Sequence, residues 1–183
     1  MVNELAFVPD QSPTHGQRSW EPVVDGRSLR HILTEASSED LAGSVVGEYV
    51  SVLVHNWPAG MPHEVLQLMG EHPPELASGR IPLYVCPVCV DLGCGAITAA
   101  LEWTAETVVW RDSAWDVNDE TDEDDDDDPM FAGPLIFSRP QYESEVRRFI
   151  ETFDQVRASI LALPGPPSPE RTRRWKWPWR PLN

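Results

Sequence analysis

The sequence predicts an α+β fold, a single domain in which a twisted antiparallel sheet or meander carries one long C-terminal amphipathic helix on one face. Three observations predict it. Runs rich in β-branched and aromatic residues recur at 45–54, 81–86, 96–103 and 107–110. Two of them are joined by a nine-residue link containing Gly93 and Gly95, the length and composition of a hairpin connection. Finally, Tyr142, Val146, Phe149, Ile150, Phe153, Val156, Ile160 and Leu163 keep helical spacing over six turns.

Taken in order, residues 1–20 mix Pro9, Pro13, Gly16 and small polar residues without periodicity and predict a flexible segment, with Phe7 and Trp20 docking locally. Pro22-Val23-Val24 reads as a short strand entering a turn at Asp25-Gly26. Ser28 then caps a helix carried by Leu29, Ile32, Leu33 and Ala36 and ended by Ser37-Ser38. The run at 45–54 is a buried strand that His55-Asn56-Trp57-Pro58 ends. A short helix follows from Pro62 to Met69, with Gly70 after it. The hairpin 81–86/96–103 and a third strand at 107–110 make the meander. Ser138 with Gln141 three residues later matches a capping box for the last helix, and Pro140 is tolerated in its first turn. The domain is therefore expected over 21–163, interrupted by a disordered acidic loop at 116–129. A proline-rich linker and a Trp/Arg-rich tail follow at 164–183.

Charge narrows the function. The chain carries 30 acidic against 14 basic side chains, a net charge of −16, which repels phosphate backbones and disfavours general nucleic-acid binding. Residues 116–128 hold ten carboxylates, and 171–180 hold five cations interleaved with Trp175, Trp177 and Trp179. With opposite charges on one chain, the tail is expected to contact the acidic loop in cis, in a salt-sensitive way. The N-terminal residues lack the basic start and apolar run of a signal peptide, and no stretch approaches the ~20 apolar residues of a membrane span. Three clustered cysteines, an odd number, fit a reducing compartment, so a cytoplasmic location is expected.

Those cysteines are the sharpest chemical feature. Cys86-Pro87-Val88-Cys89 presents two thiols on one side of a turn at a separation that suits tetrahedral Zn(II), and Cys94 is near enough to close on the same ion. A structural site asks for a fourth ligand, for which His55, His63, His72 and Asp91 are candidates without a compelling spacing. The competing reading is three small semi-apolar side chains packed at a hairpin with no metal. A redox role asks instead for a C-x-x-C at the mouth of a helix, whereas this one lies between strands, with Asp91 nearby to raise a thiol pKa. Gly93 and Gly95 precede a strand and not a helix, which excludes a dinucleotide loop and leaves a turn needing positive φ. His31, His55, His63 and His72 have no serine, cysteine or aspartate at a spacing that implies a nucleophilic triad, so no catalytic residue is assigned.

The stretches Leu83-Tyr84-Val85-Cys86-Pro87-Val88-Cys89-Val90-Asp91-Leu92-Gly93-Cys94-Gly95-Ala96, Val108-Val109-Trp110-Arg111-Asp112 and Phe137-Ser138-Arg139-Pro140-Gln141-Tyr142-Glu143 resemble a family of small bacterial proteins, mostly actinobacterial, of uncharacterised function. The resemblance spans roughly residues 20–160, and its specific part is the hairpin. Some members are labelled oxidoreductases. The resemblance implies that Cys86, Cys89 and Cys94 share whatever purpose the family's cysteines serve. The chain departs from the family in its aspartate insertion, in its tail, and in Val90, where the family usually has glycine, a change that weakens a tight zinc-knuckle turn. The expected role is a non-enzymatic protein-interaction or regulatory domain with a zinc-stabilised hairpin and an unidentified protein partner. The alternative is a thiol- or cofactor-dependent oxidoreductase. A third reading, an acidic decoy for a basic partner, would depend on residues 119–128.

Overall fold

Burial alternates at the start of the strand Leu5–Gln11 (β1), where Leu5 and Phe7 turn into the core. The computed structural model describes residues 1–12, 15–16, 18–37, 48–54, 63–90, 92–116 and 133–161. β1 pairs antiparallel with Arg18–Val24 (β2), from Leu5 opposite Val24 to Gln11 opposite Arg18. The expectation of a flexible 1–20 segment is thus corrected. Prolines do not forbid this pairing: Pro22 stands opposite Phe7, whose own N–H and C=O point away from β2 to helical side chains, so the missing N–H breaks no bond of this ladder.

Asp25 and Gly26, both at positive φ (51° and 77°), turn β2 into the two-residue strand Arg27–Ser28 (β3), as a tight hairpin turn with two left-handed residues requires. The Ser28 hydroxyl then accepts from His31 N–H and caps Leu29–Ala36 (α1), which buries Leu29 and Leu33. Of the strand expected at 45–54, residues 45–47 lie outside those described, and Val50–Ser51 (β4) is regular. The expected short helix is His63–Leu68 (α2).

Ile81–Val85 (β5), Ala96–Trp103 (β6), Thr107–Asp116 (β7) and Leu135–Ser138 (β8) complete a five-stranded antiparallel sheet in the order β4-β5-β6-β7-β8. Both predicted meander turns are present. β7 is longer than predicted and reaches Asp116, which pairs with Ala96 and accepts from the Ser78 hydroxyl, so Asp116 belongs to the sheet and not to the acidic loop. The acidic run from 117 onward, the linker and the tail lie outside the described residues.

The two sheets are tied together at both ends. Trp20 N–H donates to Leu53 C=O (3.0 Å) beside a bridge between Ser19 and Val54, and Asn3 N–H donates to Ile136 C=O (2.6 Å) beside a bridge between Asn3 and Phe137. The pairing therefore closes on itself through β1, β2, β4, β5, β6, β7 and β8, which leaves few open strand edges. Buried side chains from both sheets and from α1, α2 and the C-terminal helix join one core.

That helix, Arg139–Leu161 (α3), lies across β1, β7 and β8. It buries Tyr142, Val146 and Phe149, three of the residues whose spacing predicted it. Tyr142 packs edge-on against Trp110 and Trp103, accepts from Trp110 Nε1 (3.3 Å) and donates to Leu68 C=O (2.9 Å). The capping-box expectation is corrected. The Gln141 amide reaches across to β1, accepting from Leu5 N–H and donating to Leu5 C=O, while Glu145 accepts from Phe7 N–H (2.6 Å) and Arg148 donates to Phe7 C=O (3.0 Å). One helical turn and two strand residues have nearly the same length, about 5.4 Å and about 6.6 Å. Positions 141, 145 and 148 can therefore serve the backbone of residues 5 and 7 as a neighbouring strand would.

A buried ionic cluster joins β1, β2, α1 and β5. Glu21 is 4% exposed. Its Oε1 accepts from Ser28 Oγ (2.5 Å), Tyr84 Oη (2.8 Å) and Arg30 N–H (3.1 Å), and its Oε2 faces Arg30 Nη2 at 3.0 Å. Arg30 also reaches Asp10 at 2.9 Å and lies over the Tyr84 ring. Burial, and then the Glu21 carboxylate, hold the Tyr84 hydroxyl well above its usual pKa, so it remains a donor.

Candidate functional site: a three-cysteine turn

The hairpin delivers its cysteines to one place because of where its strands end. Val85 pairs with Ala96, so Cys86, one residue past β5, and Cys94, two residues before β6, sit side by side. Pro87-Val88-Cys89 turns the chain back, closed by a hydrogen bond from Val90 N–H to Cys86 C=O (2.9 Å), and a single 3-10 turn, Leu92–Cys94, closed by Gly95 N–H to Leu92 C=O (2.9 Å), returns it to β6. The three Sγ atoms lie within 4.8 Å of one another, with Cys89 and Cys94 at 3.3 Å. Cys86 is half-buried; Cys89 and Cys94 are exposed.

Three thiols at this spacing match one ion of zinc size. Zinc–sulfur bonds of about 2.3 Å in a tetrahedron place sulfurs about 3.8 Å apart, inside the 4.8 Å within which all three lie. The three cysteines can hold a metal. Burial pushes the Cys86 thiol up, but the N–H groups of Cys89 and Val88, followed by the side chains of Cys89 and Cys94, pull it further down, and the net position is below the ordinary thiol range. Asp91, expected to act the other way, is outside the described residues, as is His55.

Of the proposed fourth ligands, His63 and His72 stand apart from the sulfurs. Their rings are 4.0 Å from each other and His63 Nδ1 is 3.0 Å from Glu75, so they form their own small polar group beside α2. His31 pairs with Glu35 on the surface of α1. Among the described residues, the metal-ligand cluster consists of Cys86, Cys89 and Cys94 alone.

Two neighbours were not singled out by sequence. Tyr49, just before β4, donates to Cys94 C=O (3.2 Å), and burial followed by the nearby Cys86, Cys94 and Cys89 pushes its hydroxyl up to about 12, which keeps it protonated. Trp115 on β7 meets Tyr49 edge-on at 5.2 Å and covers Gly95. Their strand positions make both look like ordinary core aromatics, and only the hairpin's fold-back brings them to the sulfurs.

Val90 takes φ of 53°, the left-handed conformation that a glycine adopts freely. For a β-branched residue this costs about 1–3 kcal/mol, while its partly buried side chain returns about 1 kcal/mol through contact with the core. Val90→Gly is therefore expected to stabilise the chain by about 1 kcal/mol, read by denaturant unfolding. A loss of stability would show that the side-chain contact outweighs the strain.

Beside the histidine pair, Glu64 has a buried Oε2 without a hydrogen-bond partner among the described residues, and burial raises its pKa. Its folded pKa exceeds its unfolded one, so ionisation opposes folding. Stability is full below the unfolded value and falls as pH rises through the folded one. Glu64→Gln should thus gain about 1 kcal/mol at pH 7 and nothing at pH 4, as thermal melts at the two pH values will read.

Comparison with protein-family models, with curated proteins and with solved structures gives no match. No helix among the described residues is long and apolar enough to cross a membrane.

Proposed function

We propose that Cys86, Cys89 and Cys94 bind zinc as a structural ion, and that the ordered hairpin presents a surface for a protein partner, with no reaction turned over at the site. The observation that carries this reading is the convergence of three sulfurs within 4.8 Å at the mouth of a hairpin. A structural role fits the surroundings. Val90 and Leu92 pack on the core, and Val88, 72% exposed at the tip, offers an apolar contact beside Cys89 and Cys94. The kinship suggested by the hairpin residues belongs to the same proposal, as does a cytoplasmic setting in which thiols stay reduced.

The oxidoreductase alternative draws on the lowered Cys86 thiol. Against it, Cys86 follows a strand and opens a turn, not a helix, and the helical turn that comes next, Leu92–Cys94, is three residues long and does not start at the C-x-x-C.

The test is metal content. Native mass spectrometry with elemental analysis is expected to find one zinc per chain. Chelation should remove about 2.7–4.1 kcal/mol of stability for a site held at 100–1,000 times its Kd. Cys89→Ser should melt like the chelated chain and ignore further chelator. A chain without zinc, whose melting ignores both chelator and Cys89→Ser, overturns the reading.

A further inference from the structure

The two exposed sulfurs of the cluster, Cys89 and Cys94, are 3.3 Å apart, while Cys86 is half-buried just past the end of β5. This asymmetry sorts the thiols. A disulfide bond is about 2.05 Å long, so the exposed pair has little distance to close, and both sulfurs are open to a small oxidant in solvent. Cys86 is less accessible and is fixed through its own carbonyl, which accepts from Val90 N–H.

We propose that the zinc site is a redox switch: a peroxide joins Cys89 to Cys94, strips two of three sulfurs from the metal and releases it, leaving Cys86 as the remaining thiol. This rests on the zinc reading above. Two thiolates each give up one electron as the S–S bond forms. The O–O bond of hydrogen peroxide breaks, two protons come from solvent, and two waters leave. Dithiol and zinc restore the site.

The structure gives the switch something to move. Tyr49 is bonded to Cys94 C=O and touches Trp115, which covers Gly95, so drawing residue 94 toward residue 89 disturbs the approach to β4 and the end of β7 together. The same step rebuilds the tip around Val88, the surface assigned to the partner.

The experiment titrates the zinc-loaded full-length chain with hydrogen peroxide, followed by a zinc-binding dye, intact mass, and iodoacetamide labelling before digestion. The expected result is one zinc released per chain, a mass lower by about 2 Da, label on Cys86 alone, and reversal by dithiothreitol with added zinc. Cys86→Ser should still lose about 2 Da, so the pairing stays readable if that variant holds metal poorly. A zinc-loaded chain that pairs Cys86, gains oxygen without a disulfide, or keeps its zinc after the disulfide forms overturns the switch alone. A chain that joins Cys89 to Cys94 but binds no zinc overturns the switch and the zinc reading together.

Discussion

Glu21→Gln is expected to destabilise the fold by about 3 kcal/mol, the lower end of what breaking a buried ion pair costs. The glutamine keeps the shape but removes the charge that faces Arg30 at 3.0 Å, and Arg30 retains only Asp10, the more exposed partner. Three donors, from Ser28, Tyr84 and the Arg30 backbone, now meet one end of a neutral amide in place of a carboxylate oxygen. For a chain of this length the melting temperature should fall by about 6–12 °C. Because the cluster is buried, added salt should change the loss little. Tyr84→Phe deletes a single donor and should cost about 1 kcal/mol. If Glu21→Gln costs no more than Tyr84→Phe, the cluster is held by hydrogen bonding alone and its charge is immaterial.

Gly95→Ala is the second large effect, and it joins fold to site. Gly95 has φ of 85°, and a Cβ there would lie 2.2 Å from Trp115 Cζ2 and 2.7 Å from Cε2. Backbone strain of about 1–3 kcal/mol adds to the displacement of an indole packed on Tyr49. A total of about 3 kcal/mol is expected, with weaker zinc retention because Cys94, Tyr49 and Trp115 shift together. Trp115→Ala combined with Gly95→Ala separates the two costs: if the clash dominates, the double variant is less destabilised than the sum of the singles. Additive losses would show that Trp115 is not held against Gly95.

Much of the sheet was legible because its signals are local. β5 and β6 show their β-branched residues, and the link between them has hairpin length, so local spacing alone puts the cysteines on the turn where the structure has them. Ser28 and the apolar spacing of α3 are likewise local signals. The N-terminal strand was missed because Pro9 and the polar residues beyond it hide the alternation of Leu5 and Phe7, and β1 depends on β2 and on α3 for its partners. Gln141 was misread for a related reason. Its spacing from Ser138 satisfies a local rule, yet its amide pairs with Leu5, 136 residues away in sequence, a choice no short window shows. The three thiols were legible as a set, while Tyr49 and Trp115 join them only through pairing between distant strands.

The claim beneath this account is that one zinc ion sits among the three sulfurs. X-ray absorption at the zinc edge of the purified chain tests it most directly. Three sulfur neighbours at about 2.3 Å are expected, with the zinc signal lost in Cys89→Ser. A shell made only of nitrogen and oxygen at about 2.0–2.1 Å, unchanged by that substitution, would place the metal elsewhere and contradict the account.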